Sequence, residues 1–407
     1  MTSRNVNVPD NSLSDLAQSR RSIAAGFLGL GLFMGMWGVL VPARSAALGL
    51  TELMISGFLL CIGLSLCAAI YAINKVPVLQ NAPRLIRFSA PIYAFGFAIC
   101  LTTESLGVFF GLGIITGFAA GLIDAGLNGQ ASQWEQLADK RAMSFFHGLW
   151  SLGVLAGASL TTFSLSIGLD LETVAFACAI IFGTLMVVRK SWISTAEPDA
   201  AADTDRANSQ GESFSLPLPL VMLLGLCILL ATLTEGGILD WSALHLNQYA
   251  GLAMDEAGQA VIWFSVAMTA SRFSGDWLAE RVAPHLLLAV PMLGAALLLG
   301  LAALSGMVNT LIIAYVLTGL ALGNAFPIVV SEAGKAAGDR PLRDISVIVA
   351  FAYFGLISGP ALLGLLAHML SLNAIIYALA FFGLLLGIAT FNLPRMLLLA
   401  PKMTERR

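Results

Sequence analysis

Twelve long apolar stretches are the feature of this 407-residue chain that most restricts its fold. Each has roughly 20 residues, the length that an α-helix needs to cross the hydrocarbon core of a bilayer. They are residues 23–41, 53–73, 85–101, 106–127, 143–164, 171–188, 218–239, 257–278, 286–304, 308–330, 347–369 and 374–393. Hydrophobic residues make up 58% of the chain and charged residues 11%, which excludes a soluble globular protein and a disordered chain. We therefore predict an all-α polytopic membrane protein with 12 transmembrane helices.

The basic residues predict the orientation of these helices. Cytoplasmic loops carry an excess of Lys and Arg. With the N-terminus placed inside, every one of the 21 Lys and Arg residues except Arg44 is assigned to the cytoplasmic side. We therefore expect cytoplasmic N- and C-termini in a multi-pass protein of the bacterial cell inner membrane. The first 22 residues are polar, so the first apolar stretch is interpreted as a retained helix rather than a cleaved signal.

A polar stretch divides the chain into two similar halves. Residues 191–216 are predicted to be a cytoplasmic linker between an N-terminal six-helix bundle, residues 1–190, and a C-terminal six-helix bundle, residues 217–407. Glycines recur at a shift of 202 residues, as in Gly117 and Gly319 or Gly153 and Gly355. Two parallel six-helix repeats are typical of the major facilitator (MFS) fold. In that fold a solute binds near the midplane between the halves, and rocking of the halves alternates access.

Several other classes of function find no support in the sequence. The five cysteines lie in apolar stretches and the four histidines are scattered, so we predict no metal site and no disulfide framework. No clustered catalytic set and no nucleotide-binding motif occurs. The prediction is a protein that is not an enzyme, has no cofactor and does not bind nucleic acid. An ATP-driven pump within this chain is also excluded.

The sequence after span eight resembles a loop signature of the major facilitator superfamily. Residues 278–281 read Leu-Ala-Glu-Arg, where the family has Leu-Ala-Asp-Arg. In the family this loop latches the halves on the cytoplasmic side, so the resemblance implies a gating loop that contains Arg272, Glu280 and Arg281. The expected N-terminal copy near residues 74–87 has lost the pattern.

Three further motifs narrow the resemblance. Span four ends with Asp124 followed four residues later by Asn128, span five begins His-Gly-Leu-Trp-Ser-Leu-Gly, and span seven ends with Glu235-Gly and a later Trp. Together they resemble the fucose-permease-related branch of the superfamily, and most of all its YbjJ/MosC-like inner-membrane proteins. The resemblance implies a polyol-like solute, such as a rhizopine-like amino-cyclitol. This chain departs from the fucose permeases in span one, where Gly38 stands in place of an acid.

Two acids within the predicted spans are candidates for proton coupling or solute binding. An ionisable side chain in a span costs about 2.5–3.5 kcal/mol on insertion scales, so Asp124 and Glu235 either serve function or form hydrogen bonds between helices. Asp124 and Asn128 share a helix face. Asp124 and His147 are expected near the cytoplasmic side of adjacent helices. They could form a proton relay or a static structural pair.

Aromatic and amide side chains are candidates for lining a central cavity. Trp37, Trp150, Asn324 and Tyr353 could reach it and bind a hydroxylated ring by stacking and hydrogen bonds. Arg44, the lone outside cation, either guards the outer vestibule or pairs with Glu52.

The function predicted from these features is secondary active transport. The solute would be a sugar, cyclitol or amino-cyclitol, moved by alternating access with protons as the coupling ion, by a monomer in the lipid bilayer. One alternative is an exporter of metabolites or drugs with the same fold and a larger, more apolar cavity. Another is a non-transporting receptor or structural membrane protein, which would have a filled centre.

Overall fold

The computed structural model describes residues 10–76, 79, 81–140, 142–189, 191–193, 216–337 and 342–404. Most of the predicted linker, residues 191–216, therefore lies outside the described residues. The helices of the first half are α1 (Asp10–Leu48), α2 (Glu52–Lys75), α3 (Ala82–Thr102), α4 (Leu106–Ala138), α5 (Met143–Ser166) and α6 (Leu171–Val188). Those of the second half are α7 (Leu218–Leu244), α8 (Gln259–Ala279), α9 (Pro284–Ser305), α10 (Val308–Leu322), α11 (Ala325–Ala337), α12 (Leu342–Met369) and α13 (Leu372–Thr404). A π-helical turn, His245–Tyr249, and a single helical turn, Met254–Ala257, follow α7.

Eleven helical segments of the described chain are long and apolar enough to cross a membrane. The sequence prediction of twelve differs from this count at one place, residues 257–278. That stretch forms α8, a helix of 21 residues, but polar side chains including Arg272 lower its hydropathy. At about 1.5 Å per residue α8 still spans roughly 30 Å. It packs on α5 and α10 within the bundle. The all-α polytopic membrane fold is confirmed.

Side chains in the connections set where several helices begin. In lipid every backbone polar group needs a partner, and the first turn of a helix leaves its N–H groups without one. The Thr51 and Ser105 side chains accept such N–H groups at α2 and α4. At α6, Asp170 accepts the N–H groups of Glu172 and Thr173, and hydrogen bonds from Thr173 hold the pKa of this carboxyl below its usual value. These caps fix the starts of three membrane helices.

The two halves repeat the same pattern of helix packing. In the first half α1 packs on α5, α2 on α4, and α3 on both α4 and α6. In the second half α7 packs on α12, α8 on α10, and α9 on both α10 and α13. These are the corresponding pairs when α10 and α11 together are counted as span ten. The sequence repeat is therefore a structural repeat.

Matched glycines lie at matched helix contacts. A Cβ on Gly117 would lie 2.6 Å from the carbonyl oxygen of Ile62 in α2, and one on Gly319 would lie 2.5 Å from the carbonyl oxygen of Phe264 in α8. Gly157 in α5 abuts the carbonyl oxygen of Leu32 in α1. Because real Cβ atoms do not approach so closely, these positions require glycine, and the small residue lets the helix backbones touch.

Contacts between helix ends define two ends of the molecule. At one end Arg20 lies over the ring of Phe145, 4.4 Å from its centroid, and Arg87 donates to the carbonyl oxygen of Arg189 at 3.0 Å. Arg20, Arg87 and Arg189 are among the basic residues assigned to the cytoplasmic side, and we call this the inner end. At the opposite, outer end Arg44 donates to the carbonyl oxygen of Thr103 at 3.0 Å.

The predicted pairing of Arg44 with Glu52 is wrong. The Arg44 guanidinium bonds to the chain at the end of α3 instead. Glu52 lies 4.0 Å from Nδ1 of His368, at the end of α12. The Glu52–His368 contact joins the two halves at the outer end, because α2 belongs to the first half and α12 to the second.

Candidate functional site

Arg272 organises a polar cluster between the two halves. Its Nη2 lies 3.5 Å from Oε1 of Glu235, and the side chains are 14% and 20% exposed. Its Nη1 donates to the hydroxyl of Ser151 and, at 3.3 Å, to the carbonyl oxygen of His147. Its guanidinium carbon lies 5.6 Å from the ring centroid of Trp150. We call these five residues the central cluster.

The central cluster connects α7 and α8 of the second half to α5 of the first half. Ser151 follows His147 by one helical turn, so both face the same neighbour. Ser151 donates its own hydroxyl to the carbonyl oxygen of His147 at 3.4 Å and accepts from Arg272. The resemblance implied that Arg272 belongs to a gating loop, and this is wrong because the residue lies within α8, as the predicted span 257–278 has it. A cation at this depth is tolerable because Glu235 and α5 supply acceptors.

Asp124 belongs to a second polar group between the halves. Nδ2 of Asn128 donates to Oδ1 of Asp124 at 3.1 Å and to its carbonyl oxygen at 2.9 Å. Tyr353, which α12 contributes from the other half, lies within electrostatic range of the Asp124 side chain. Tyr353 is 38% exposed. The acid on α4 and the phenol on α12 therefore face a common region between α2, α4 and α12.

The predicted pair of Asp124 and His147 does not form. Among the described residues, no hydrogen bond or ion pair connects the two side chains. The His147 ring packs against Phe27 with 5.4 Å between the ring centroids. The sequence placed both residues near the same end of adjacent helices, but the structure turns the imidazole toward α1.

Two predicted cavity residues are buried in helix contacts. Trp37 is 2% exposed and packs on Phe58, with 5.2 Å between ring centroids. Asn324 is 6% exposed and donates to the hydroxyl of Ser271 at 2.7 Å and to its carbonyl oxygen at 3.3 Å. The Asn324 contact fixes the break between α10 and α11 against α8. In this conformation neither side chain is available to a solute.

Glu280 and Arg281 lie at the exposed end of α8. Oε2 of Glu280 is 3.6 Å from Nη1 of Arg281, and both side chains are more than half exposed. Arg281 also donates to the carbonyl oxygen of Trp277 and lies over its ring. All these contacts stay within one segment of the second half, so they do not join the halves in this conformation.

Asp240 is a buried acid that sequence reasoning missed as a candidate. It is 5% exposed, and its Oδ1 accepts a hydrogen bond from Nε1 of Trp37 at 3.1 Å. The predicted span ended at Leu239, which left Asp240 in a loop. In the structure α7 continues to Leu244 and passes directly into the π-helical turn. The signal was available, because the apolar pattern resumes after Asp240 in Trp-Ser-Ala-Leu.

Two cavities lie at the outer end of the second half. The larger has a volume of about 230 Å³ and is lined by residues that include His245, Tyr249 and Asn373. Nε2 of His245 lies 3.3 Å from Oδ1 of Asn373, and its ring stacks on Tyr249. In the part of the chain that the structure describes, no group of three or more His, Cys, Asp or Glu residues could hold a metal ion.

Curated relatives of this chain are membrane transporters or membrane proteins of bacteria. An uncharacterised MFS-type transporter of Yersinia pestis is 27% identical over 354 residues, covering 86% of this chain and 90% of the relative. Membrane protein MosC of Rhizobium meliloti is 27% identical over 369 residues, covering 86% and 84%. An uncharacterised transporter of Sinorhizobium fredii, y4wD, is 26% identical over 356 residues, covering 85% and 90%. No family model matches the chain.

Solved structures with the same fold are also transporters. A variant of the nucleoside transporter NupG superposes with a TM-score of 0.69 at 12% identity, covering 92% of this chain and 99% of NupG. A bacterial homologue of the human lysosomal transporter Spinster, in an inward-facing and occupied conformation, gives a TM-score of 0.64 at 14% identity, covering 93% and 97%. Identities this low establish the fold alone.

The helix packing, the polar groups between the halves and these relatives define a multi-pass membrane transporter. The chain resembles transporters of the major facilitator superfamily. Over most of its length it is similar to MosC and to the MFS-type transporter of Yersinia pestis.

Proposed function

We propose that this protein is a proton-coupled secondary transporter of a small polar solute. The solute is a sugar, a cyclitol or an amino-cyclitol, and the protein moves it by alternating access as a monomer in the bacterial inner membrane. The observation that carries the proposal is the central cluster, in which Arg272 and Glu235 of one half meet Trp150 and Ser151 of the other.

The chemistry of the central cluster suits a hydroxylated solute. Arg272 offers several N–H donors, Glu235 offers acceptor oxygens, and the Trp150 ring provides a flat apolar face. A sugar or cyclitol ring presents hydroxyls at its rim and C–H groups on its faces, so it can use both kinds of contact. Because the central cluster contains residues of both halves, the contacts of a solute bound there would change when the halves move relative to each other.

The restriction to cyclitol-like solutes rests on sequence resemblance. The motifs of spans four, five and seven resemble those of MosC-like proteins, and MosC is among the relatives found. A separate argument for an amine-bearing solute comes from Asp124, because no cation pairs with it among the described residues. An ammonium group on the solute would supply the missing charge.

Proton coupling is assigned to the buried acids. Asp124 has an amide as its hydrogen-bond partner, whereas Glu235 is paired with Arg272. A carboxyl without a cationic partner can take up and release a proton during the cycle more readily than one held in an ion pair. Asp124 is therefore the coupling site in this proposal, and Glu235 is the solute-binding or positioning acid.

The experiment is uptake into proteoliposomes of purified protein under an imposed proton gradient. A panel of radiolabelled sugars, cyclitols and amino-cyclitols is offered, and one of them is expected to accumulate and to be released by a protonophore. Glu235→Gln is expected to lower this accumulation at least tenfold, about 1.4 kcal/mol of lost binding or coupling. Glu172→Gln, which changes an exposed acid in the first turn of α6, is the matched control.

Two outcomes would contradict the proposal. Accumulation that persists with the protonophore would exclude proton coupling. Resistance of overexpressing cells to several unrelated lipophilic cations, without uptake of any polyol, would instead identify a drug exporter.

A further inference from the structure

Among the described residues, the outer part of the interface between the halves contains one buried acid, Asp240, which is held by one indole. The Nε1–Oδ1 distance to Trp37 is 3.1 Å, and the two residues are 203 positions apart, in different halves. Trp37 is 2% exposed and Asp240 is 5% exposed. The hydrogen bond therefore exists only while the outer ends of α1 and α7 are together.

The surroundings of Trp37 hold the indole rigidly in the first half. Its ring packs beside the stacked pair of Phe58 and Phe109, whose ring centroids are 3.9 Å apart. The centroid of the Trp37 ring lies 5.2 Å from that of Phe58 and 6.3 Å from that of Phe109. The next residue, Gly38, brings the helices together, since a Cβ there would lie 2.7 Å from the carbonyl oxygen of Leu239. The indole cannot follow Asp240 if α7 moves away, because its aromatic neighbours all belong to α2 and α4.

The second carboxylate oxygen of Asp240 has space beside it. Oδ2 faces Gly236 one helical turn earlier and is 4.0 Å from the place where a Cβ would be. Apart from the chain neighbours of Gly236 and the backbone of its own helix, no other heavy atom lies within 4 Å of that position. The glycine therefore leaves room for a proton on Oδ2 while Oδ1 keeps its bond to Trp37.

In the part of the chain that the structure describes, no charged group on the neighbouring elements is paired with Asp240. On α1, Arg44 is directed to the carbonyl oxygen of Thr103. On α12, His368 faces Glu52. Asp255 and Glu256 lie in the single turn Met254–Ala257, and α8, α10 and α13 contribute no ion pair to Asp240 among the described residues.

We propose that Asp240 is a proton-sensitive gate residue at the outer end, and that proton uptake there from the outside closes the Trp37–Asp240 latch. The proposal rests on the proposed function. When the outer ends separate, water reaches the carboxylate and stabilises its charge. When they close, that water is lost, and one neutral N–H donor replaces it only in part.

A proton removes this cost of closure. The neutral carboxyl still accepts the indole N–H through Oδ1, so the latch survives protonation while the buried charge disappears. Closing of the outer end then takes up one proton, and opening returns it. Acid conditions outside are expected to favour the closed outer end.

The test measures accessibility of the outer end and needs no solute. All five native cysteines are replaced, and Ser45, which is 6% exposed and accepts a hydrogen bond from Gln248 of the other half, is changed by Ser45→Cys. The rate of labelling by a membrane-impermeant maleimide is divided by that of Ser305→Cys, an exposed position at the same end. The ratio cancels the pH dependence of the thiol itself.

The expected result is a ratio that rises with pH, up to roughly tenfold per unit, which is the limit for a single proton. Asp240→Asn should keep the ratio low and independent of pH, because the amide imitates the neutral acid. Trp37→Phe should raise the ratio across the pH range. If Ser45→Cys fails to fold, Ser56→Cys, 3% exposed at the outer part of α2, takes its place.

An unchanged pH dependence in Asp240→Asn would overturn the inference, and so would a low ratio in Trp37→Phe. Both outcomes are independent of whether the panel contains the solute. If the labelling ratio changes with pH as expected and no polyol is transported, the solute assignment is wrong and the latch proposal is supported. If polyol transport is proton-coupled and the labelling ratio does not change with pH, the latch proposal is wrong and the transporter proposal is supported.

Discussion

Asp124 lies on α4 with a hydrogen-bond partner on its own helix, whereas Asp240 and Glu235 have partners elsewhere. This difference has a mechanical consequence. Movement of the halves changes what surrounds Asp124 without breaking its bond to Asn128, and it breaks the partner bond of Asp240. At the scale of single residues, the three acids are therefore expected to respond differently to the same substitution.

Asp124→Asn is expected to separate accumulation from exchange. The amide keeps the size of the side chain and removes the proton that it can carry. Accumulation driven by a proton gradient should disappear, while exchange of labelled for unlabelled solute should stay within about twofold of the parent, since exchange needs no net proton movement. Accumulation and exchange are both measured in one proteoliposome preparation, so that the two rates can be compared directly.

A well-folded Asp124→Asn protein that still accumulates solute would show that the coupling site is elsewhere. Failure of the variant to fold would assign Asp124 a structural role with Asn128. Asn128→Asp is a useful companion, because it places two acids one turn apart.

The Arg272–Glu235 pair gives a prediction about stability. Removal of one partner leaves the other charge buried between helices, which costs at most about 3–5 kcal/mol. Arg272→Gln and Glu235→Gln are each expected to lower the Tm in detergent. The double variant should recover a clear part of the loss, because neither charge is then left alone. Additive losses in the double variant would mean that the two side chains act independently.

The sequence predicted the local partners of these residues better than the distant ones. Asp124 and Asn128 are four positions apart, and helix periodicity alone places them together. Arg272 was assigned to a gating loop by resemblance to a family signature, although it also lies within predicted span 257–278. Only packing shows that Glu235 lies beside it inside the bundle. Asp240 was missed because the apolar stretch was ended at the acid itself. Partners on other helices depend on rotation and depth, which a hydropathy pattern does not encode.

Glycine contacts within each half are the main feature at the scale of helices. The chain backbones of α1 and α5 touch at two successive turns, where Gly153 and Gly157 meet the carbonyl oxygens of Leu28 and Leu32. The equivalent helices of the second half, α7 and α12, meet at Gly355 and Gly359. Close backbone contact leaves few alternative packings, so each of these pairs is expected to move as a unit.

Gly157→Ala is expected to destabilise the first half strongly. The new methyl group would overlap the carbonyl oxygen of Leu32, and backbone atoms cannot move aside as a flexible side chain can. A cost of about 1–3 kcal/mol follows from overpacking of this kind. Gly111→Ala in α4, where no atom lies within 4 Å, is the control. Thermal unfolding of both purified variants is the measurement, and equal Tm values would refute the contact.

The positions of the helices could largely be predicted from the sequence, but the break within span ten could not. Long apolar stretches gave the membrane segments, because a bilayer admits only helices of sufficient length. The division of span ten into α10 and α11 depends on Asn324, whose amide bonds to Ser271 on α8. A break that depends on a contact with another helix leaves no mark in the hydropathy of the broken segment.

At the scale of the whole molecule, the two ends of the interface differ. The outer end is joined by Trp37–Asp240, Ser45–Gln248 and Glu52–His368, each of which connects the first half to the second. Nearer the inner end, Arg272 donates a hydrogen bond to the carbonyl oxygen of His147 in α5, and the ring centroids of Phe145 and Phe273 are 6.1 Å apart. Opening of the outer side therefore requires the loss of three specific polar contacts.

The orientation of the molecule in the membrane remains a prediction from charge. A reporter that is active only in the cytoplasm should give a signal when fused after Ala202, a position outside the described residues. It should give none when fused after Leu252, at the outer end. The opposite pattern of activity in cells would reverse the assignment of inner and outer ends used throughout.

The polarity of α8 has a consequence for how the protein is made. A segment that carries Arg272 among several hydroxyls enters a bilayer poorly by itself. Glu235 on α7 emerges from the ribosome first, and it can meet Arg272 as the second helix arrives. We expect α7 and α8 to be inserted as a hairpin whose charges neutralise each other. The pair would thus guide biogenesis before it takes any part in carrying a solute.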